Sequence, residues 1–293
     1  MASVILVPGL GGHAMGSFKE RKGEHVWPRD SLPTALVGSD GQSHGSPIAR
    51  IITYGYSSGV QGSKSAQHIG DIAKSFQSSL MELVRGSDLR PIVLIGHSMG
   101  GLVIKETLIS LSQSNNERNT KLFRAIRGIA FFGVPHTGMD AESIRAMAED
   151  GPNRPLTDSL SSENSYFLTQ QLVAFNRLLK SNASSRIEII YFYETELSPT
   201  AKRDINGKWA MNGPEKLLVP AASASLQWDG ERSNPVKRTH SEMVKFGQYD
   251  DEWQKVSAHL RDLVGQVVRH QGEEESRRAL ETQQAANKAI EGG

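Results

Sequence analysis

The sequence predicts an α/β fold: a mostly parallel sheet with helices on both faces. Short apolar runs of strand length alternate with segments in which apolar residues recur at helical spacing. This alternation is typical of parallel sheets, because helical crossovers cover both faces. One apolar run, Ile92 to Ile95, leads into Gly96-His97-Ser98-Met99-Gly100 and then into a helical pattern. The length of 293 residues is enough for one large domain with a sizeable core.

The elements follow from periodicity. Strands are predicted at 3–7, 50–54, 92–95, 129–132, 187–193 and 216–220, and helices at 69–84, 102–111, 165–180 and 249–268. Residues 13–47 have no clear period. The chain between about 139 and 164 contains breakers and one short helical stretch, so we expect a helical insertion there. From Gln271 the chain is rich in Glu, Arg, Gln and Ala. We therefore expect a domain over 1–270 and a polar, charged tail or linker helix over 271–293.

Composition excludes several classes of protein. The 33 basic and 32 acidic side chains nearly cancel, so we expect no nucleic-acid partner. The absence of cysteine excludes disulfides and thiolate chemistry. The sequence has no signal-peptide pattern and no apolar run long enough to span a membrane. We expect an intracellular protein, most simply cytoplasmic, and association with a membrane or organelle surface stays open.

The Gly-x-Ser-x-Gly pattern at Gly96, Ser98 and Gly100 has the form of a nucleophile elbow. In this sharp strand-to-helix turn, the serine is held above the end of a sheet. The pattern alone is weak, but an apolar strand precedes it and an apolar helical face follows it. Ser98 is therefore the candidate nucleophile.

A serine needs a base, and the base needs an orienting carboxylate; in this fold they follow in the order serine, acid, histidine. His240 lies in a polar loop late in the chain and is the candidate base. Glu194, directly after a predicted strand, is the favoured acid, and Glu196 is the alternative. We expect His97 to be structural and His136 to be a hydrogen-bonding residue that shapes its loop.

Two backbone N–H groups are needed to stabilise the developing oxyanion. The residue after the nucleophile, Met99, supplies one, and Leu10 in the loop Gly9-Leu10-Gly11-Gly12 is the favoured second donor. The same loop formally fits a dinucleotide fingerprint, with Asp30 about 20 residues on. Residues 14–29 lack the helix that the fingerprint requires, so we predict no cofactor. No spacing of histidines suggests a metal site.

Together these landmarks resemble the α/β-hydrolase superfamily. The resemblance is strongest to a group of serine esterases and lipases that includes the serine-active-site-containing protein and relatives of a yeast lipid-droplet lipase. The same module is similar to the N-terminal domain of many fungal NOD-like receptors. The stretches that carry the resemblance are Gly9–Gly12, Trp27–Asp30, Ile52–Tyr56, Gly96–Lys105, Phe131–Gly138, Phe192–Thr195 and Ser241–Phe246.

The resemblance implies an α/β-hydrolase fold, a triad of Ser98, His240 and Glu194, and an acyl ester or lipid substrate. One departure is Pro8, where many relatives have histidine; proline lacks an N–H, so the loop entry differs. Two hypotheses follow. The first is a serine esterase or lipase, with 139–164 either a lid or a surface excursion. The second is a signalling or interaction module on a hydrolase scaffold, fused to a nucleotide-binding regulatory domain.

Overall fold

The structure, a computed structural model, describes residues 1–38, 46–85, 90–149, 151–163, 165–181, 187–226 and 232–291. Its strands are β1 (Ala2–Val7), β2 (Ala49–Thr53), β3 (Ile92–His97), β4 (Ile126–Phe132), β5 (Glu188–Glu194), β6 (Ser198–Pro199), β7 (Lys202–Arg203), β8 (Trp209–Ala210), β9 (Glu215–Lys216) and β10 (Ser233–Val236). Its α-helices are α1 (Trp27–Asp30), α2 (Leu32–Ala35), α3 (Ile69–Leu83), α4 (Met99–Ser112), α5 (Glu117–Ala125), α6 (Glu142–Ala148), α7 (Arg154–Asp158), α8 (Tyr166–Leu179), α9 (Ala221–Ala224) and α10 (Asp251–Glu291).

The central sheet has six strands in the order β10-β5-β4-β3-β1-β2. Every neighbouring pair in it is parallel. The carboxyl ends of all six strands therefore meet at one edge, where ligands bind in open α/β sheets. The predicted α/β fold with a mostly parallel sheet is confirmed.

Alternate residues of each strand pack into two separate apolar cores. On one face, Ile5, Leu94 and Phe131 pack with buried residues of α3, α4, α5 and α8. On the other face, Val4 and Ile95 pack with Trp27 and with the apolar stripe of α10. Strands that are apolar on both faces are what a sheet covered by helices on each side requires. Helices on both faces, as predicted, are confirmed.

The prediction of a sheet strand at 216–220 is wrong. Only Glu215–Lys216 is extended, in a two-stranded antiparallel pair with β6 outside the main sheet. The sixth strand of the sheet is instead β10, which lies in the polar stretch before His240 where the sequence predicts a loop. Pro235 lies in β10, opposite Tyr193 of β5. Proline is tolerated there because β10 is an edge strand, with no second neighbour to which its nitrogen would have to donate.

Two insertions follow the carboxyl ends of β4 and β5 in the chain. The cap segment, residues 139–163, contains α6 and α7, and the predicted helical insertion is confirmed there; positions 150 and 164 lie outside the described residues. The hairpin segment, residues 195–217, contains β6 to β9 and was not predicted. Lys216 Nζ of the hairpin segment lies 2.7 Å from the Asp140 carboxylate, and Arg203 pairs with Glu149. The two insertions are thus joined by ion pairs.

The last helix is longer than its apolar pattern predicts. Its buried stripe ends at Val267, but the helix continues to Glu291, and residues 275–285 are exposed. Arg127 reaches Glu274 at 3.0 Å, and Arg278 pairs with Glu274 one turn away. Such pairs and good helix formers support a helix without an apolar face. None of the described helices combines the length and apolarity needed to cross a bilayer.

Candidate active site

Ser98 lies at the turn between β3 and α4 with φ 51° and ψ −127°. A positive φ on a non-glycine residue is strained, and such strain collects at functional sites. The turn is also crowded. A Cβ added at Gly100 would lie 2.4 Å from the carbonyl oxygen of Val7, so only glycine fits beside β1. The local sequence therefore folds as the elbow that its pattern predicts.

His240 bridges Ser98 and Glu194. Its Nε2 lies 3.0 Å from Ser98 Oγ, and its Nδ1 lies 2.5 Å from Glu194 Oε2. Because a carboxylate only accepts, Nδ1 carries the hydrogen and Nε2 accepts from the serine hydroxyl. The backbone N–H of His240 donates to Ser198 Oγ at 3.0 Å, which anchors the loop after β10. All three side chains, which the sequence places far apart, are buried at one point.

Glu194 ends β5, and both of its carboxylate oxygens are engaged. Oε2 accepts from His240, and Oε1 accepts from the backbone N–H groups of Leu218 and Val219 at 2.8 and 3.0 Å. These contacts explain why residues 216–220 form no sheet strand, since two of their N–H groups are used by the carboxylate. Glu196, the alternative acid, is half-exposed, and its backbone N–H donates to Arg238. The hairpin segment thus begins and ends at the carboxylate that contacts His240.

His97 supports His240 from the elbow side. Its Nε2–H donates to the backbone carbonyl of His240 at 2.9 Å, and the two rings lie 5.1 Å apart. Burial, reinforced by the nearby His240, lowers the pKa of His97 to about 3. His97 therefore stays neutral and adds no positive charge beside His240.

The amides of Leu10 and Met99 are available as donors. Met99 is the first residue of α4, where an N–H has no partner within the helix. Among the described residues, neither the Leu10 N–H nor the Met99 N–H donates to another group. The loop that carries Leu10 lies against the serine: a Cβ added at Gly9 would lie 2.9 Å from Ser98 Cβ. Gly9, which precedes Leu10, thus lies against Ser98, and Met99 directly follows Ser98 in the chain.

His136 differs from its sequence-based expectation. Its backbone N–H donates to Val134 and Ser223, but both ring nitrogens lack a partner in the described part of the chain. The ring instead makes edge-on contacts with Phe131 and Tyr191. Lys105, on α4, is also fully buried, and its Nζ has no hydrogen-bond partner among the described residues. The shape of the loop comes from the backbone of His136, and its ring only packs.

The alternative dinucleotide site does not form. The loop after β1 continues into a turn and a 3-10 helix at Gly16–Phe18 rather than a long helix. The carboxylate of Asp30 accepts from the Val26 N–H and pairs with Arg29. Within the described ranges, no three His, Asp or Glu side chains group as a metal site would require.

Comparison of the sequence with known proteins finds relatives that match part of this chain. No family model matches the chain. SERAC1 of Bos taurus is 28% identical over 145 residues, and SERAC1 of Homo sapiens is 26% identical over 155. Each match covers 47% of this chain and 22% of SERAC1, so the chain spans about a fifth of the curated relatives' length.

Two solved structures share the architecture. The propeptide form of lipase BlEst2 from Bacillus licheniformis has a TM-score of 0.51 and 13% identity, covering 87% of this chain and 50% of that one. Phospholipase PlaB from Legionella pneumophila, solved with thio-NAD, has a TM-score of 0.50 and 16% identity, covering 77% and 44%. The chain has the α/β-hydrolase fold, as its resemblance to that superfamily predicted.

Proposed function

We propose that this chain is a serine hydrolase of carboxylic esters. The observation that carries the proposal is the position of His240, within hydrogen-bond reach of both Ser98 Oγ and Glu194 Oε2. A nucleophile, a base and an orienting acid in this geometry are the working parts of covalent acyl transfer. The strained backbone of Ser98 and the two unengaged amides beside it point to the same chemistry.

The mechanism follows from which atoms carry hydrogen. His240 Nε2 removes the hydroxyl proton of Ser98 as Oγ attacks the ester carbonyl. The oxyanion that forms accepts hydrogen bonds from the amides of Leu10 and Met99. The tetrahedral intermediate collapses as His240 returns the proton to the leaving alcohol, and Ser98 is left acylated. Water, activated by the same histidine, then releases the acid.

Glu194 acts on the imidazole rather than on the substrate. It holds Nδ1–H, which keeps Nε2 free to accept, and its charge stabilises the imidazolium that forms. Its other oxygen is occupied by two backbone donors, so the carboxylate cannot rotate away from the ring. The two solved neighbours are named as a lipase and a phospholipase, which favours a lipid ester as the substrate class.

A fluorophosphonate probe tests the proposal, because it phosphonylates only an activated serine. We expect the chain to be labelled and Ser98→Ala to lose labelling completely. Ser257→Ala, which removes another buried serine hydroxyl on α10, is the matched control and should label as the parent does. A folded chain that is not labelled, or labelling that persists in Ser98→Ala, would contradict the proposal. The absence of labelling would favour a non-catalytic interaction module, whereas labelling that persists in Ser98→Ala would mean that a different nucleophile is activated.

The ester class can be measured with the same proteins. A series of p-nitrophenyl esters from acetate to palmitate reports acyl preference through kcat/KM. We expect turnover that depends on Ser98 across the series and rises with acyl length if lipids are the substrates. Turnover confined to acetate and butyrate would instead assign the chain to short-chain esterases.

A further inference from the structure

The loop that carries Leu10 is held by a second segment, residues 56–60, which we call the strap. The Tyr56 hydroxyl donates to the Pro8 carbonyl at 2.7 Å. The Gly11 N–H donates to the Ser58 carbonyl at 2.6 Å, and Ser58 Oγ donates to the Gly12 carbonyl at 3.1 Å. These bonds grip the loop on both sides of Leu10, while the Leu10 N–H itself is left unengaged.

The side chains of Tyr56 and Ser58 in the strap both donate hydrogen bonds to the loop. Ser58 is buried, and the Tyr56 ring is half-buried with its hydroxyl directed at Pro8. Burial raises the pKa of Tyr56, so its hydroxyl keeps its proton and remains a donor. Pro8 has no N–H, and its carbonyl is the polar group through which the loop entry can be held. Tyr56 therefore restrains the entry of the loop at Pro8.

Asn153 connects the strap to the cap segment. It occupies the N-cap position of α7, where asparagine ordinarily accepts from the first turn of its own helix. Here its side chain makes no capping bond. Instead Nδ2 donates to the carbonyls of Gly59 at 3.1 Å and Val60 at 2.8 Å. Asn153 is only 1% exposed, so its side chain is shielded from water at the donor end of these bonds. The cap segment thus holds the strap, and the strap holds the loop.

We propose that Tyr56, Ser58 and Asn153 are positioning residues that fix the Leu10 amide as an oxyanion donor. The inference rests on the proposed function, because it assigns these side chains to the oxyanion hole of that reaction. A donor aimed at developing charge contributes about 10²–10³-fold to kcat, and a shift of about 1 Å costs a large part of that. The substrate carbonyl carries little of this charge, so the effect is on kcat rather than on KM.

Kinetics of Tyr56→Phe against Tyr54→Phe separate this role from general packing. The two rings stack at 6.0 Å, and each substitution removes one hydroxyl, but the Tyr54 hydroxyl interacts with Ser79 rather than with the loop. We expect Tyr56→Phe and Asn153→Ala each to lower kcat by about 10-fold with KM within about 2-fold, and Tyr54→Phe to change neither. Affinity for a trifluoromethyl ketone transition-state analogue should fall in parallel with kcat. Equal kcat values for Tyr56→Phe and Tyr54→Phe would overturn the proposal.

Hydrogen exchange gives a readout that does not need turnover. The Gly11 N–H is protected in the parent by its bond to Ser58, and we expect Tyr56→Phe and Asn153→Ala to speed its exchange while Tyr54→Phe does not. If Gly11 exchange is unchanged in Asn153→Ala, the cap segment does not hold the loop and the inference fails. If exchange responds but the parent neither hydrolyses esters nor labels at Ser98, the proposed function fails instead.

Discussion

His240 and His136 lie in neighbouring regions and are buried to a similar degree, but the hydrogen bonding of their rings is opposite. His240 is 7% exposed and His136 is 1% exposed. Both ring nitrogens of His240 are engaged, whereas both ring nitrogens of His136 lack partners within the described residues. Gly133, whose added Cβ would lie 3.1 Å from the His240 ring, begins the same loop that carries His136. Burial therefore does not mark a site, and the partners of a buried group decide what it can do.

The surroundings of His136 show what burial without partners does. The ring lies among Phe131 and Tyr191, and Lys105 Nζ lies 5.3 Å from the centre of the Phe175 ring. Burial holds the pKa of His136 well below its ordinary value, and Lys105 lowers it further. Burial lowers the pKa of Lys105 to about 7. The surroundings of His136 thus favour uncharged side chains, while the proposed reaction requires a proton transfer at His240.

The comparison predicts its largest contrast for matched substitutions of the two histidines. His240→Leu should lower kcat/KM for p-nitrophenyl esters by about 10⁴-fold or more, because it removes the proposed base. His136→Leu should stay within about 3-fold, because no reacting atom depends on its ring. Circular dichroism and thermal melts establish that both variants are folded. A loss of activity in His136→Leu as large as that in His240→Leu would contradict the claim that activity depends on the His240 ring and not on the His136 ring.

A second matched pair of substitutions concerns the proposed acid, Glu194, and its neighbour Glu196. Glu194→Gln should lower kcat by about 10²–10⁴-fold, because a neutral amide neither holds the required tautomer nor stabilises the imidazolium. Glu196→Gln, the matched change two residues on, should leave kcat within about 2-fold. Steady-state kinetics of the two variants decide the assignment. Equal effects on kcat, or a larger effect at Glu196, would mean that turnover does not depend on the carboxylate bonded to His240.

The last effect concerns stability around Lys105 rather than activity. Its pKa is about 7 when folded, against the ordinary value of 10.5, so the unfolded chain binds more protons between these values. The destabilisation is present in full below pH 7 and is relieved as pH rises from about 7 to about 10.5. The free energy of unfolding should therefore rise with pH across this window, by at most about 1.4 kcal/mol per pH unit from this group.

Lys105→Met tests that account because it keeps the length of the side chain and removes the amine. We expect urea unfolding to show a variant that is more stable than the parent at pH 6, by a margin that shrinks towards pH 10. Lys245, whose pKa burial also lowers, is present in both proteins and cancels in the difference. A stability difference that does not depend on pH would mean that Lys105 is not the titrating group.

Much of this could be predicted from the sequence because it depends on local pattern. The periodicity of apolar residues and the spacing of glycines predict five of the six strands of the sheet, and the elbow. The chain order of Ser98, Glu194 and His240 selected the three residues that now lie together. The edge strand Ser233–Val236 was missed because a short edge strand carrying proline has no clear apolar signature. The end of α10 was missed because an exposed helix lacks an apolar stripe.

Which polar groups meet depends on how the chain packs in three dimensions. The fold and a short set of candidate residues can be read from the sequence, since they follow from hydrophobic periodicity, turn chemistry and chain order. The sequence could not show that the backbone N–H groups of Leu218 and Val219 bind the Glu194 carboxylate. Every residue except proline has an N–H, so the type of side chain does not indicate which N–H groups bind a carboxylate. Nor could it show that Asn153 turns away from its own helix to hold the strap. Such contacts join residues distant in the chain, and only packing sets their distance and direction.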